Sequence, residues 1–506
     1  MRILVSESMR FFVVAITISL CLFGCDPDSF NPGDSPALSY IAEVNVSPAG
    51  NPLGAVLTWE TDEPSSSWVE FTDEIEDGTY NWKWQIGRDN LTQDHTINVV
   101  GMTPEKTFYL RAVSVSEDGE RLESVPYQFK TSWCGVDFTS ERTKYDPEKS
   151  LPGWWLSAVS WGDKASISMP VIFNEEGLPV WCVDSYDGVE GYMAYEATFN
   201  EDEGVVGIGG HIGLEQHPVA VDMAGNVAWE GVFQQPEQDL DHGTMHHTMY
   251  WTDDGKLVGL AINFKDCNGA NDCSPISDVL YEVDPQATDL AEWPASEEPI
   301  LVQEVADWVL DMDPYIRGDY LGMYNNALSF DREEGTVYYY HHQGDQLIKV
   351  GVNGDEYWAA GLDGEFTLLN GELWPQKAHG MEYVGNDTVL WFDNGGPGED
   401  GSQLDTRIVK IRFNENDRTA EVVWQYPEVS SSAENQMGSY IGGDADELPN
   451  GNVLVATGID EEPFLHRLFE VTPELEIVRE VVLSGDDVYG NYAVDHMPAQ
   501  ATRIDD

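Results

Sequence analysis

Histidine is the residue type whose placement in this sequence points most directly to chemistry. The chain has 11 histidines, and most of those after residue 200 lie in four short stretches: His211 and His217; His242, His246 and His247; His341 and His342; and His379. A neutral imidazole is a competent nucleophile near pH 7 and is also a common metal ligand. Whether these histidines act as nucleophiles or as metal ligands depends on the structural elements that carry them.

Two of the stretches share one pattern. "HHTMYWTDDGKLVGLA" begins at His246, and "HGMEYVGNDTVLWFDNG" begins at His379. Each places a histidine at the head of a strand, followed by a polar turn and a second apolar strand. Equivalent hairpins of a repeated fold bring equivalent residues around one axis. We therefore predict that His379 and His247 meet at one site, with His246 as the alternative to His247.

Metal binding is the competing use of these residues. His242 and His246 are four apart, a spacing that shares a face on a helix, but the intervening Gly243-Thr244 is not helical in pattern. A calcium ion with a structural role could bind the loop "NFKDCNGANDCS", which lacks the regular spacing of a known calcium loop. Its candidate ligands are Asp266, Asn268, Asn271 and Asp272. We predict no metal and no cofactor for the reaction itself.

The histidine-bearing hairpins belong to a long repetitive region, residues 135–506. Its units are two strands joined by an Asn-Gly, Asp-Gly or similar polar turn, with an aromatic residue near the end, as in "PVIFNEEGLPVWCVD". Helical periodicity is scarce, so the chain is predicted to be all-β. Hairpin repeats at roughly 45 to 60 residues per blade predict a β-propeller, most simply with six blades and alternatively with seven.

Residues 38–131 show a different pattern of short strands. "AVLTWETDEPSSSWVEF" and "HTINVVGMTPEKTFYLRAVSVSEDGE" each give two alternating strands around a turn, which is typical of a β-sandwich. The segment resembles a fibronectin type III domain in Trp59, Met102 before Thr103-Pro104, Tyr109 and Asp118-Gly119. Such modules serve as spacers or binding units, and this one carries no cluster of reactive side chains.

The first 37 residues have the character of an export and anchoring segment. The apolar run "FFVVAITISLCLF" has the length of a signal-peptide core and is too short to span a bilayer. Leu22-Phe23-Gly24-Cys25 resembles a bacterial lipobox, so we predict a lipoprotein signal peptide over 1–24, lipidation of Cys25 and a polar tether over 25–37. The protein is then exported and anchored to a bacterial membrane, on the periplasmic side or at the cell surface.

Cysteine and charge content set further limits. Apart from Cys21 and Cys25, four cysteines remain, and an exported chain permits disulfides among them. Of the three pairings, we favour Cys267–Cys273 with Cys134–Cys182, because the first pair closes a small loop. The formal net charge of -66 makes nucleic acid and anionic lipid surfaces unsuitable partners.

Several motifs together resemble the bacterial arylsulfate sulfotransferases, which are exported six-bladed propellers preceded by a small β-sandwich. The resemblance covers most of residues 150–480 and rests on "HHTMYWTDDGKL", "HGMEYVGNDTVLWFDNG" and "DADELPNGNVLVATG". It implies that His379 attacks the sulfur of an aryl sulfate and carries a sulfuryl group, which a phenol then accepts. It also implies that His247 supports the sulfuryl group or the phenolic oxygen.

Two positions depart from the family pattern. Tyr324 stands where the family has a histidine, although the nearby Asn326 is kept, and His342 stands where the family has an arginine. Arginine grips sulfuryl oxygens in a planar fork that histidine lacks. Lys377 lies two residues before His379 and would share its face if the segment were an extended strand. We therefore predict that Lys377 supplies the missing positive charge.

The function predicted from these observations is transfer of a sulfuryl group from an aryl sulfate to a phenolic acceptor through His379. Because two site positions depart from the family pattern, a second hypothesis remains. In it the protein is a lipid-tethered ligand-binding or scaffold propeller with a degenerate site. A third is a metal-assisted hydrolase or lyase that uses the axial histidines. The expected partners are therefore small aryl sulfates and phenols, together with a membrane through the lipid anchor.

Overall fold

The structure is a computed structural model of the 506-residue chain. It describes residues 41–134, 138–161, 167–183, 192–201, 203–212, 215–230, 244–252, 255–265, 274–283, 301–304, 325–331, 334–342, 344–351, 356–395, 405–427, 442–457, 466–485 and 488–504. Most of the described residues are in strands and almost none are helical, so the all-β prediction is confirmed. The predicted signal peptide, Cys25 and the tether lie outside the described residues.

The N-terminal strands form one seven-stranded sheet that also takes in the last strand of the chain. Alternation explains these strands, since in β6 Phe108, Leu110 and Ala112 are buried while the residues between them are half-buried. A separate two-stranded ribbon, β3 with β4, lies beside the sheet. The N-terminal strands are β1 (Asn45–Pro48), β2 (Ala55–Thr72), β3 (Ile75–Glu76), β4 (Thr79–Tyr80), β5 (Trp84–Val99), β6 (Thr107–Val115), β7 (Arg121–Glu123) and β8 (Tyr127–Lys130).

The remaining strands run as antiparallel meanders. The first half comprises β9 (Thr139–Tyr145), β10 (Trp154–Trp161), β11 (Ile167–Phe173), β12 (Pro179–Cys182), β13 (Tyr192–Asn200), β14 (Val205–Ile212), β15 (Glu215–Asp222), β16 (Val227–Glu230), β17 (Thr244–Trp251), β18 (Leu257–Lys265), β19 (Ser274–Val283) and β20 (Leu301–Glu304). These strands, except β9, join β34 (Val488–Met497) in one 12-stranded sheet. Single parallel bridges, Ser168 to Met193 and Gln216 to Thr244, connect successive meanders within it.

Most strands of the second half form separate sheets, except that β34 belongs to the 12-stranded sheet and β35 (Thr502–Arg503) to the N-terminal sheet. Its strands are β21 (Asn325–Asp331), β22 (Thr336–His341), β23 (Gln346–Gly351), β24 (Glu356–Gly361), β25 (Thr367–Leu368), β26 (His379–Tyr383), β27 (Thr388–Asp393), β28 (Arg407–Asn414), β29 (Thr419–Tyr426), β30 (Asp444–Glu447), β31 (Val453–Ala456), β32 (His466–Val471), β33 (Ile477–Ser484), β34 (Val488–Met497) and β35 (Thr502–Arg503). One 3₁₀ turn, Leu369–Gly371, follows β25. The sheets are β21 to β24, β25 to β29, and β30 to β33 with β9.

These sheets have a β-propeller arrangement around a central axis. The innermost strand of each meander contacts that of the next, in the closed order β34, β13, β17, β21, β26, β30 and back to β34. Five blades are distinguished, so the predicted number of six is not confirmed. Three of the meanders, β34 with β10 to β12, β13 to β16 and β17 to β20, are joined by the parallel bridges into the one 12-stranded sheet and are not separate sheets.

Both ends of the repetitive region close the ring. β9, at its start, pairs with β33, and β34, near the chain's end, pairs with β10. β35 then pairs with β5 of the N-terminal sheet. Strand exchange of this kind ties the inner strands to one another, which holds the axial side chains at defined separations.

The N-terminal sheet packs on the propeller rather than standing apart from it. Trp59 and Phe71 of the sheet share a buried apolar cluster with Trp154 and Trp181 of the 12-stranded sheet. A disulfide between Cys134 and Cys182 joins the segment after the N-terminal sheet to β12, as predicted. Cys267 and Cys273, and the proposed calcium ligands between 266 and 272, lie outside the described residues.

Candidate active site

His379 is the first residue of inner strand β26, and only 7% of its surface is exposed. A bulge follows it, since His379 pairs with Phe392 and Met381 pairs with Trp391. The extra residue is Gly380, whose φ is +32°, and a Cβ there would lie 2.3 Å from Oδ1 of Asp444. Glycine is thus required for the close approach of the neighbouring inner strand, and the bulge redirects the side chain of His379.

The hydrogen bonds around His379 define its tautomer. Nδ1 lies 2.7 Å from Oδ1 of Asn394 and 3.2 Å from the carbonyl oxygen of Lys377. The Asn394 amide is oriented by its Nδ2, which donates to the carbonyl oxygen of Gly442 at 2.9 Å. Because both neighbours of Nδ1 are acceptors, Nδ1 carries the proton and donates. The neutral ring therefore has its lone pair on Nε2.

Asn326 connects His379 to His342 on the neighbouring sheet. Its Nδ2 donates to Nε2 of His379 at 3.2 Å and to Nδ1 of His342 at 2.7 Å. The two imidazole rings are 6.3 Å apart between centroids. Asn326 also occupies a bulge, since Asn325 pairs with His341 and Ala327 pairs with Tyr340. The adjacent inner strands β21 and β26 thus each carry a β-bulge near the axis.

Both imidazoles near this asparagine are neutral at pH 7. Burial lowers the pKa of His379, against the opposing effect of its hydrogen bonds to Asn394 and to the Lys377 carbonyl. Burial, followed by the nearby charges of Lys377, His379 and His341, lowers the pKa of His342 to about 3. His342 therefore does not replace the positive charge of an arginine; it accepts a hydrogen bond.

Lys377 is placed differently from our prediction. Its φ of +52° belongs to the left-handed region, and β26 starts two residues later, so the segment is not an extended strand and the face-sharing argument is wrong. The Lys377 ammonium instead lies 3.3 Å from the carbonyl oxygen of His342 and 3.6 Å from Oδ2 of Asp345. The backbone N–H of Lys377 donates to Oδ1 of the same carboxylate at 2.8 Å. A positive charge is thus present beside His342.

A buried carboxylate, Asp393, holds the two segments that flank His379. Asp393 is 1% exposed and accepts from the backbone N–H groups of Gln376 at 2.8 Å and Gly395 at 3.0 Å. Its other oxygen accepts from Nε of Arg407 at 2.8 Å. Asp393 thereby links the segment before His379 to the loop that presents Asn394.

The other predicted residues are only partly described. His246 lies in inner strand β17 and pairs with Leu260, and the next pair is Met249 with Gly259. This register shift encloses His247, at the place where β21 and β26 carry their bulges. The side chains of His246 and His247, the whole of Tyr324, and His242 lie outside the described residues. In the part of the chain that is described, no group of three or more His, Cys, Asp or Glu side chains could hold a metal ion.

Comparison with protein families identifies the domain. The arylsulfotransferase (ASST) family model matches residues 155–463, more than half of the 506-residue chain. The chain belongs to the arylsulfotransferase family. Its matched region includes His379, Asn326, His342 and Lys377. No curated protein matches the sequence.

Solved structures similar to this chain are distant in sequence. A protein of unknown function from Bacteroides caccae is 11% identical and covers 68% of this chain and 98% of its own, with a TM-score of 0.41. TolB from Acinetobacter baumannii is 11% identical, covering 79% and 81%, with a TM-score of 0.40. A periplasmic gluconolactonase from Pseudomonas aeruginosa is 12% identical, covering 86% and 99%, with a TM-score of 0.36.

Sequence reasoning missed several residues that lie near His379 or near the axis. The sequence motif that contains Asp393 and Asn394 indicates a turn but no role for their side chains. Nothing in the sequence pattern indicates a role for Asp345. A group of partly buried carboxyl side chains near the axis was also missed: Glu196, Glu382, Asp444, Asp446 and Asp495. Several predicted inner strands contain carboxylates, notably the "DADE" strand that follows the "HGME" strand. This pattern could have indicated a group of carboxyl side chains near the axis.

In the described part of the chain, no helix is both long and apolar enough to cross a membrane.

Proposed function

We propose that this protein moves a sulfuryl group from an aryl sulfate to a phenol through a sulfo-histidine at His379. The observation that supports it most directly is the hydrogen-bond pattern of that ring. Nδ1 is held as a donor by Asn394 and the Lys377 carbonyl, so the lone pair is on Nε2 in a ring kept neutral by burial. A buried, oriented, neutral imidazole has the properties that a nucleophile requires near pH 7.

The proposed donor step forms a bond between Nε2 and sulfur and breaks the bond between sulfur and the aryl oxygen. The Nδ1 proton remains on the ring, where Asn394 stabilises the positive charge of the sulfo-imidazolium. Nδ2 of Asn326 would donate to a sulfuryl oxygen in place of Nε2, and the Lys377 ammonium would balance negative charge nearby. The transfer needs no cofactor.

The test of this function is direct detection of the intermediate. Incubation with a nitrophenyl sulfate and no acceptor should add one sulfuryl group to the intact protein, and peptide mapping should place it on His379. Addition of a phenol should remove the mass and yield a new aryl sulfate. Release of the nitrophenol without any protein adduct, or an adduct that a phenol cannot discharge, would contradict the proposal.

Lys377→Met tests the proposed role of the ammonium. We expect KM for the aryl sulfate to rise about 10-fold, because a hydrogen bond or contact to a charged group contributes about 1.5 kcal/mol or more. Lys106→Met, which removes an exposed lysine of the N-terminal sheet that pairs with Asp73, is the matched control and should leave KM unchanged. An unchanged KM in Lys377→Met would show that the charge is not used.

We further propose the location and domain plan predicted from the sequence. A lipoprotein signal peptide over 1–24, lipid on Cys25 and a tether over 25–37 would anchor an exported protein to a bacterial membrane. A fibronectin type III-like sandwich over 38–131 would precede the propeller over 135–506. The Cys134–Cys182 disulfide supports export, because disulfides persist in oxidising compartments.

A further inference from the structure

Glu382 lies on the same inner strand and the same face as His379. His379 pairs with Phe392 and Glu382 pairs with Leu390, and these partners are two residues apart on β27. Directly paired residues share a face of the sheet, as do residues two apart. The bulge at Gly380 therefore brings Glu382 onto the face of His379, although three positions separate them in sequence. The separation along the strand is about 7 Å.

Carboxyl groups surround Glu382, and a single described cation lies close to it. Oε2 of Glu382 accepts from the backbone N–H of Glu447 at 2.8 Å. Lys410 pairs with the side chain of Glu447. The groups that face Glu382, or face it through Asp446, come from β28, β30, β13 and β34: Lys410, Asp444, Asp446, Glu447, Glu196 and Asp495. Burial first, and then the charges of Glu447 and Asp444, raise the pKa of Glu382 to about 7.

We propose that Glu382 carries the proton that the two phenols exchange during sulfuryl transfer. This inference rests on the proposed function and adds the group that handles the proton. A phenol has a pKa of about 10, close to that of tyrosine, so it is a weak nucleophile until its proton is taken. Glu382 is on the same inner strand as His379, about 7 Å along it.

The proton balance closes over the two half-reactions. In the first, the Nε2–sulfur bond forms, the sulfur–oxygen bond breaks, and protonated Glu382 gives its proton to the departing phenolate. In the second, the acceptor's O–H bond breaks with the proton passing to the Glu382 carboxylate, its oxygen bonds to sulfur, and the electron pair of the nitrogen–sulfur bond returns to Nε2. A group with a pKa near the working pH can serve in both forms.

Glu382→Gln tests this role with two acceptors. The amide keeps an oxygen for the Glu447 N–H but cannot take a proton. For a phenol with a pKa of about 10, kcat/KM for the acceptor should fall about 100-fold. For a nitro-substituted phenol that is already ionised at the assay pH, it should stay near the wild-type value. Formation of the His379 adduct from a nitrophenyl sulfate should also stay near wild type, because that leaving group needs no proton.

The matched control is Glu421→Gln, the same change in an exposed carboxyl of the same sheet, where Glu421 pairs with Arg412 away from the axis. This variant should leave both acceptors unaffected. In the wild type, discharge of the adduct by the weakly acidic phenol should increase as pH rises through about 7. This second measurement stands even if Glu382→Gln fails to fold.

Three results separate the outcomes. An equal loss with both phenols, or no loss with either, overturns the role of Glu382 while transfer through His379 stands. Absence of the pH rise in the wild type overturns it as well. Absence of an adduct in the wild type contradicts the proposed function itself.

Discussion

His379→Asn should lower kcat/KM for a chromogenic aryl sulfate by on the order of 10⁴-fold or more, because removal of a covalent nucleophile removes the pathway and leaves only binding and electrostatic effects. Asparagine keeps a hydrogen-bonding side chain at the head of β26, so the fold should survive. The measurement is nitrophenol release in the presence of a phenol acceptor, together with the urea midpoint of the variant. Intact mass should show no sulfuryl adduct.

His496→Asn is the matched control for this variant. His496 lies on inner strand β34 of the same ring and bonds the carbonyl oxygen of Pro152 at 3.0 Å, away from the Asn326 bridge. It should retain turnover. If His379→Asn turns over normally, or if both variants lose activity to the same degree, His379 is not the group that attacks sulfur.

Asp393→Ala should lower the free energy of unfolding by about 3–5 kcal/mol, because removal of one partner leaves the other charge of a buried pair uncompensated. Arg407 is only 15% exposed and would lose its carboxylate. The backbone N–H groups of Gln376 and Gly395 would also lose their acceptor. Since both flank the segment carrying His379 and Asn394, kcat should fall by roughly 10²-fold through misplacement of the nucleophile.

Urea unfolding followed by tryptophan fluorescence measures the first effect, and the same aryl sulfate assay measures the second. Glu421→Ala is the control, since Glu421 pairs with Arg412 in an exposed contact between β28 and β29. An exposed pair contributes about 0–1 kcal/mol, so this variant should unfold near the wild-type midpoint. Similar midpoints for the two variants would show that the Asp393 network does not stabilise the site.

Much of the architecture could be predicted from local pattern. Period-2 alternation and polar hairpin turns are local properties, so the all-β class, the propeller and the strand that begins at His379 followed from the sequence. The predicted disulfide between Cys134 and Cys182 is present in the structure. Blade number did not follow, because it depends on whether bridges such as Gln216 to Thr244 join neighbouring meanders, and no local pattern records such a bridge.

The position of Lys377 shows a second limit. Strand alternation placed it on the face of His379, but Asp345 holds its backbone N–H and its ammonium lies beside His342. Asp345 comes from a turn of the neighbouring sheet, 32 residues away in the sequence. A contact between sheets thus decided a backbone conformation that the local sequence did not predict.

The sequence by itself determined the residue types at the axial end of the inner strands, the family they belong to and the candidate nucleophile. Only the tertiary structure decided the state of that nucleophile. The proton on Nδ1, the lone pair on Nε2 and the lowered pKa of His379 depend on burial and on Asn326, Asn394 and Gly442. These groups come from three separate segments, and hydrogen bonding and desolvation act through space rather than along the chain.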